Sequence, residues 1–499
     1  MNRQDSLRLI RETPEWDVLV IGGGATGLGT ALDAATRGYR TVLVEQSDFA
    51  KATSSRSTKL VHGGVRYLRE GDLGLVKGAL LERSRLLANA PDLVRPLSFV
   101  IPCHSLAERL YYAAGLKLYD LLAGRRGLGA SRLLGRDGLL AHAPGLDSVG
   151  ASGGVLYFDA QFDDARLAIA LAQTFAEHGG APLNYARVTG LRKRDGRVCG
   201  AVVRDEESGE EFEIAAKCVV NATGVFCDRV REFDRPGEPS LVSPSQGAHL
   251  VLPGSFLPGD TAILIPETAD GRVLFAIPWH GRVLLGTTDV PVERAELDPH
   301  PLAQEIEFLK DHAKRFLGWT ISGSEILSAF AGLRPLIRAG GNQNTARLSR
   351  DHSLIVSDSG LVSIAGGKWT TYRRMAEDAV NSAARVGGLP VRACRTEDLR
   401  ITASTSDTDL SERDREPIHP RLPYCWGDIR RAIRSEMART VEDVLSRRTR
   451  SLILDARASF EITPTIAHWM GAELGQSEGW VQAQTESFQR VCAAALSMV

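Results

Sequence analysis

Apolar and polar positions fall into blocks whose period switches between that of a strand and that of a helix. Asp17-Val18-Leu19-Val20-Ile21 is a short apolar run leading straight into Gly22-Gly23-Gly24-Ala25-Thr26-Gly27. Such a run, bounded by glycine, predicts a buried strand. Residues 28–37 carry Leu28, Ala31, Leu32, Ala34 and Ala35 at helical spacing, and Gly38 marks the helix end. Thr41-Val42-Leu43-Val44 predicts a second strand that ends at Glu45. Strand, glycine turn, helix and strand together open a βαβ unit. The first 15 residues read as a polar leader.

The later pattern divides the chain further. Residues 75–90 predict a helix. Leu106 to Leu122 predicts an amphipathic one with Glu108, Arg109, Lys117 and Asp120 on its polar side. It reads as a packing helix under a domain, with a membrane-facing helix as the sharper alternative. Strand-like segments lie near 185–190, 198–204 and 211–221. Between 240 and 295 come His249-Leu-Val-Leu, Ala262-Ile-Leu-Ile, Val273-Leu-Phe-Ala-Ile and Val283-Leu-Leu-Gly. Short strands at that spacing predict an antiparallel sheet in a second domain. Leu361 to Ala365 predicts a strand running into Gly366-Gly367, with a long helix from about Thr370. Residues 400–420 are polar and read as a linker. Residues 427–450 are helical and arginine-rich, and predict a solvated face with ion pairs one turn apart, such as Asp428 with Arg431 and Glu436 with Arg439, with peripheral contact to an anionic membrane as the alternative. A last helix covers about 478–497.

Composition narrows the function classes. The 499 residues are 43% apolar and 24% charged, with 60 Lys plus Arg against 61 Asp plus Glu. That length fits about three domains at roughly 100–200 residues each. A balanced charge argues against a dedicated nucleic-acid binder, so no nucleic-acid partner is expected. The seven cysteines are odd in number and none is spaced CxxC. They predict reduced thiols, with neither a disulfide framework nor a metal site. The N-terminus lacks a signal-peptide apolar region, and no apolar run is long enough to span a bilayer. The expected location is cytoplasmic, with peripheral membrane contact left open.

The glycine motif carries the first chemistry. In Gly22-x-Gly24-x-x-Gly27, Gly22 permits the tight turn, Gly24 lets backbone approach a pyrophosphate, and Gly27 permits close helix–strand packing. Ala25 and Thr26 open the helix, whose N-terminus offers unpaired N–H groups and partial positive charge. Glu45, followed by Gln46, stands where a ribose hydroxyl is bound. This context predicts a dinucleotide site but does not by itself distinguish FAD from NAD. Two later segments favour FAD. Val219-Val220-Asn221-Ala222-Thr223-Gly224 is an apolar strand ending in small residues, suited to pass the adenosine or pyrophosphate. Ala365-Gly366-Gly367-Lys368-Trp369-Thr370-Thr371 is a second strand-to-helix turn, able to face the flavin pyrimidine edge.

These stretches carry a resemblance. VIGGGATGLGTALDAATRG, ATSSRSTKLVHGGVRYL, FDAQFDDARL, VVNATGVFCD, IPWHGRVLLGTTDV, AGLRPL and SIAGGKWTTYRRMAEDAV together resemble the FAD-dependent, respiratory glycerol-3-phosphate dehydrogenases over most of residues 16–385. ARTVEDVLSRRTRSLILDA resembles that family's C-terminal helical domain, although the region leading into it is shorter than the family's. The resemblance implies an α/β fold: a Rossmann-like FAD-binding domain, an antiparallel-sheet substrate domain of the D-amino-acid-oxidase-like superfamily, and a C-terminal helical domain. The expected boundaries are 14–85, 150–240 and 345–390 for the FAD domain, 86–149 and 241–344 for the substrate domain, 400–422 for the linker and 423–499 for the C-terminal domain.

The resemblance also implies a reaction. Glycerol 3-phosphate is oxidised at C2 to dihydroxyacetone phosphate, FAD takes a hydride, and a membrane quinone takes the electrons. A homodimer is an open option. Ser54, Ser55, Thr58, Lys59 and Leu60, with His62, Gly63 and Gly64, match the family's flavin-contacting loop. Arg66, Tyr67, His249, Arg334 and Lys368 match its substrate site. Arg334 suits phosphate because its planar fork gives paired charge-assisted bonds. Which of Arg66 and Arg334 meets the phosphate stays open. His249 is the first choice for general base, because an imidazole titrates near neutrality, and Lys368 is the rival. Asp163 reads as a helix N-cap. Three other functions compete: an oxidase passing electrons to oxygen, for which no obvious inserted segment is seen, an FAD amine or amino-acid oxidase, and a flavoprotein kept for assembly.

Overall fold

The computed structural model describes residues 1–65, 68, 71–268, 273–338, 352–402 and 411–496. Arg66 and Tyr67 lie outside the described residues. So do parts of the spans expected for the flavin domain and the linker.

The first sheet is built as the glycine motif demands. Its strand order is His352–Val356, Val362–Gly366, Glu211–Asn221, Trp16–Ile21, Thr41–Val44, Ala181–Leu183. The strands are parallel apart from the first, which runs antiparallel to its neighbour. Side chains alternate across it, as a strand's period of two requires. Val18 and Val20 pack with Leu28, Leu32, Leu167 and Val380 on one face. Leu19 and Ile21 join Val42, Val44 and Val203 on the other. Helices Ala25–Thr36, Asp164–Glu177 and Tyr372–Val386 cover the first face. The small residues of the first helix matter here, because a Cβ on Gly29 would stand 2.7 Å from the Tyr372 ring.

The second sheet is mainly antiparallel. Its order is Val290–Pro291, Val242–Pro253, Arg282–Gly286, Leu274–Trp279, Thr261–Ile265, Val94–Cys103, Gly153–Phe162, Leu60–Val61. Ser328–Ile337 adds beside Val242–Pro253. One face packs against helix Ala303–Leu317 through Val100, Leu250, Leu285 and Leu309. The other packs against the C-terminal helices through Phe99, Ile277, Leu284, Ile433 and Ile466.

Two sequence expectations are corrected. The polar leader is a helix, Arg3–Glu12, which buries Leu7 and Ile10 and ion-pairs Arg3 with Asp205 at 2.7 Å. Its polar look comes from a narrow apolar stripe. The arginine-rich segment is not a solvated face. After helix Trp426–Ser435, residues Asp443–Arg448 form a π-turn, and Arg447, Arg448 and Arg450 are buried. Arg447 and Arg448 pair with Asp48. Glu436 pairs with Arg166 at 2.7 Å, and Arg439 pairs with Glu207 at 2.7 Å. The Asp428–Arg431 pair does form. Helix Ala456–Leu474 precedes the last helix, Glu478–Ala494. In the linker span, Ile418 and Leu422 are buried.

Candidate active site

The two glycine turns, far apart in sequence, line one groove of about 430 Å³. Gly22, Gly24, Ala25 and Thr26 form its first wall, with Glu45 and Gln46 beside them. Ala222 and Gly224 close one side, and Gly366, Gly367, Lys368 and Trp369 lie at the far end. Glycine is needed where backbones meet. Gly22 has φ +111°, and a Cβ there would stand 2.7 Å from the Ala222 carbonyl oxygen. Gly27 lies behind the groove, where a Cβ would overlap the Gly22 carbonyl oxygen. Gly24 is the N-cap of helix Ala25–Thr36 and supplies no capping side chain. The helix end therefore suits an anion.

Glu45 shapes the other side of the turn. Its carboxylate accepts from Gly23 N at 2.6 Å and Ser47 N at 2.9 Å. Burial pushes its pKa above the ordinary carboxylate range, although both N–H bonds oppose this. A carboxylate has about four acceptor positions, so two backbone bonds leave room for a ribose hydroxyl. The groove's glycine-lined turn, glycine-capped helix end and buried acid fit FAD.

The 53–60 loop ties the groove to a second cavity. Ser54 Oγ accepts from Ala25 N at 2.9 Å, and the Ser54 carbonyl accepts from the Trp369 indole at 3.0 Å. Trp369 is thus a clamp between the two turns, and its ring meets Phe162 and Tyr372 edge-on. Thr370 Oγ1 accepts from His62 N at 3.3 Å. Gly63 N donates to Tyr119 Oη at 2.8 Å, and Tyr119 donates in turn to Asp159. Gly64 lines a larger apolar cavity beyond. Ser55, Lys59 and Gly63 lie behind these surfaces rather than in the groove wall. The Lys59 ammonium is wholly buried against Asp164 at 2.6 Å and the Ser55 carbonyl at 2.8 Å.

Thr58, Leu60, His62, His249, Arg334 and Lys368 line the second cavity, of about 220 Å³. Lys368 and Trp369 belong to both walls, so the cavity adjoins the far end of the groove. His249 is only 2% exposed. Its Nε2 lies 3.0 Å from Thr58 Oγ1, and its ring stacks on Phe330 at 4.9 Å. Burial, reinforced by Lys59 and Arg334, drives its pKa well below the ordinary imidazole value. Burial and those two cations therefore favour the neutral ring. Arg334 is held by the Thr288 carbonyl at 2.9 Å, Thr287 Oγ1 at 2.9 Å, the Gln246 carbonyl at 3.2 Å and Asp289 at 3.3 Å. Those contacts fix the guanidinium plane at the cavity wall.

Arg56 and Asp164 carry no assigned role in the sequence reading. Arg56 lines the same cavity and ion-pairs with Asp298. Asp163 is the N-cap expected of it, accepting from Arg166 N at 3.1 Å. Asp164, its neighbour, is the acceptor for Lys59 and Ser57. Only the adjoining DD pair hinted at it.

Comparison with known proteins follows the same lines. A family profile described as FAD dependent oxidoreductase matches residues 17–373. Another, described as C-terminal domain of alpha-glycerophosphate oxidase, matches residues 395–481. The mitochondrial glycerol-3-phosphate dehydrogenase of Mesocricetus auratus is 39% identical over 97% of this chain and 74% of its own. That of Saccharomyces cerevisiae is 35% identical over 98% of this chain and 91% of its own. The structure of the glycerol-3-phosphate dehydrogenase from Bacillus halodurans complexed with FAD superposes with a TM-score of 0.78, at 28% identity, covering 99% of this chain and 97% of that one. An L-alpha-glycerophosphate oxidase from Mycoplasma pneumoniae shares the fold, with TM-score 0.60 and 17% identity over 78% of this chain and 98% of its own.

Proposed function

Because the chain belongs to the FAD-dependent glycerol-3-phosphate dehydrogenase family, we propose that it oxidises sn-glycerol 3-phosphate at C2, with His249 as general base and a membrane quinone as electron acceptor. One observation carries this reading: His249, Arg334 and Lys368, from three separate segments, line one cavity adjoining the FAD groove. FAD, when bound, supplies the hydride acceptor. The chain supplies the rest. Arg334 and Lys368 bring positive charge for the phosphate. Each charge-assisted bond is typically worth ~1.5–3 kcal/mol, which favours the phosphate ester over plain glycerol. His249 takes the hydroxyl proton, and Thr58 holds its ring in place. The part expected of Arg66 and Tyr67 stays with the resemblance.

The sign of the pH dependence follows from the lowered His249 pKa. The base works when neutral, and a lower pKa keeps it neutral further into acid. The acid limb of kcat/KM, which reports the free enzyme, is expected to place the His249 pKa below ~6.5, the ordinary imidazole value. Lys59 and Arg334 are the charges that face the ring. A limb at or above that value would remove His249 as the base.

The larger cavity, of about 490 Å³, supports the quinone. Phe99, Ile101, Tyr112, Leu264 and Phe275 make it apolar, and it shares Thr58, His62 and Arg334 with the smaller one. Helix Leu106–Ala123 forms its outer wall and exposes Leu106, Leu110, Tyr111 and Leu121. An apolar face beside an apolar entrance supports peripheral membrane contact there. Among the described residues, no helix is long and apolar enough to cross a membrane.

The test is spectroscopic. The purified holoenzyme is expected to be yellow and to bleach anaerobically with glycerol 3-phosphate, not with glycerol. A ubiquinone analogue is expected to restore the colour faster than oxygen does. An unchanged spectrum would remove the substrate assignment, and faster recovery with oxygen would favour the oxidase.

A further inference from the structure

The C-terminal segment reaches the flavin loop through a buried charge cluster. Arg450 is wholly buried, and its Nη2 donates to the Ser55 carbonyl at 2.8 Å and to Asp164 Oδ1 at 3.1 Å. Its Nη1 donates to the Ser446 carbonyl at 2.8 Å, which anchors the guanidinium to its own segment. Asp164 Oδ2 accepts from Lys59 Nζ at 2.6 Å, Ser57 Oγ at 2.7 Å and Ser57 N at 3.1 Å. Asp163 lies 3.6 Å from Arg450 Nε and 3.7 Å from His280. Lys59 and Arg450 are the cations that face Asp163 and Asp164. A paired, hydrogen-bonded set is the form in which buried charges persist.

The cluster is joined to the site on both flanks. Before Ser55 stands Ser54, bonded to Ala25 N and to the Trp369 indole. After Ser57 stands Thr58, bonded to His249. Lys59 adopts φ +61°, a conformation that L side chains rarely take. Its ammonium lies 5.1 Å from the ring of Phe330, on which His249 stacks. The loop's shape therefore depends on the groups that hold Ser55, Ser57 and Lys59, and among the described residues Arg450 is their hydrogen-bonding partner from the C-terminal half of the chain.

We infer that Arg450 is a positioning residue for the redox site: by joining the Ser55 carbonyl to Asp164 it holds the 54–60 loop in the shape that seats FAD and keeps Thr58 against His249. The seating of FAD needs only the cofactor. The second part rests on the proposed role of His249.

Arg450→Met leaves two carboxylates facing one ammonium and frees one side of the loop. Arg450→Lys keeps the charge but loses the planar fork that reaches three acceptors. Arg439→Ala removes another C-terminal arginine, the one on Glu207, and serves as the control. In Arg450→Met the FAD dissociation constant is expected to rise about tenfold, the equivalent of one charge-assisted hydrogen bond. The visible circular dichroism of the bound flavin is expected to change. With saturating FAD, kcat is expected to fall about tenfold while KM for glycerol 3-phosphate moves less than about threefold, the pattern of lost transition-state alignment. Arg450→Lys is expected to recover part of each loss, and Arg439→Ala to match the parent.

Parental dissociation constant and flavin dichroism in folded Arg450→Met would overturn the inference. So would equal losses in Arg439→Ala, since the contact would then be general scaffolding. If Arg450→Met does not fold, Ser57→Ala removes one loop donor to Asp164 together with the acceptor of Lys59 N. A rise in the dissociation constant of about threefold is expected there, and parental behaviour would overturn the inference. Dissociation and dichroism are read without substrate, so they stand apart from any failure of the base or quinone assignments.

Discussion

Gly27→Ala is expected to yield a folded but colourless protein. The added Cβ would overlap the Gly22 carbonyl oxygen. Overpacking at such a contact costs about 1–3 kcal/mol, and it is relieved by moving the helix start away from the turn. That motion displaces the N–H groups that face the anion. FAD affinity is expected to fall about 100-fold or more, since each ~1.4 kcal/mol is tenfold. The measurement is the flavin-to-protein absorbance ratio after purification, together with the dissociation constant. Gly78→Ala is the control, because a Cβ there meets nothing within 4 Å and the site is mid-helix. Parental flavin content in Gly27→Ala would show that the close approach is not what seats the pyrophosphate.

His249→Gln is expected to keep FAD and lose the reaction. The amide can still reach Thr58 but cannot hold the substrate's proton. Positioned acid–base catalysis contributes about 10²–10⁴-fold, so flavin reduction by glycerol 3-phosphate is expected to slow about 10³-fold. Anaerobic stopped-flow bleaching measures this step apart from reoxidation. A rate within about tenfold of the parent would pass the role of base to Lys368, which lines the same cavity.

Much of this site was legible because its signals are local. The Gly22–Gly27 and Gly366–Lys368 turns each announce a strand end and a helix start, and helix ends bind anions whatever surrounds them. His249, Arg334 and Lys368 were found through the resemblance, carried by motifs around each of them. Periodicity alone would have left them as ordinary buried or ion-paired residues. The cavity they share is a property of the second sheet, in which His249 pairs with Phe330 and Ser245 with Arg334 across neighbouring strands.

The errors have a common cause. In the arginine-rich segment, neighbouring acids suggested short-range pairs on a wet face. Beyond the local Arg447–Asp443 pair at 2.6 Å, the structure gives Arg447 and Arg448 to Asp48, Arg439 to Glu207 and Arg450 to Asp164. Those partners lie hundreds of residues away, and no local pattern encodes them. The N-terminal helix failed in the same way, because Arg3 owes its burial to Asp205.

By itself, then, the amino-acid order determined the strand–glycine–helix units, the dinucleotide chemistry and the family, because each rests on residues within one or two turns of one another. Tertiary structure alone decided that Trp369 ties down Ser54, that the His249 pKa is lowered by burial, and that C-terminal arginines lie inside rather than on the surface. A buried charge or a shifted pKa is set by groups brought together from distant segments, and only the folded chain brings them there.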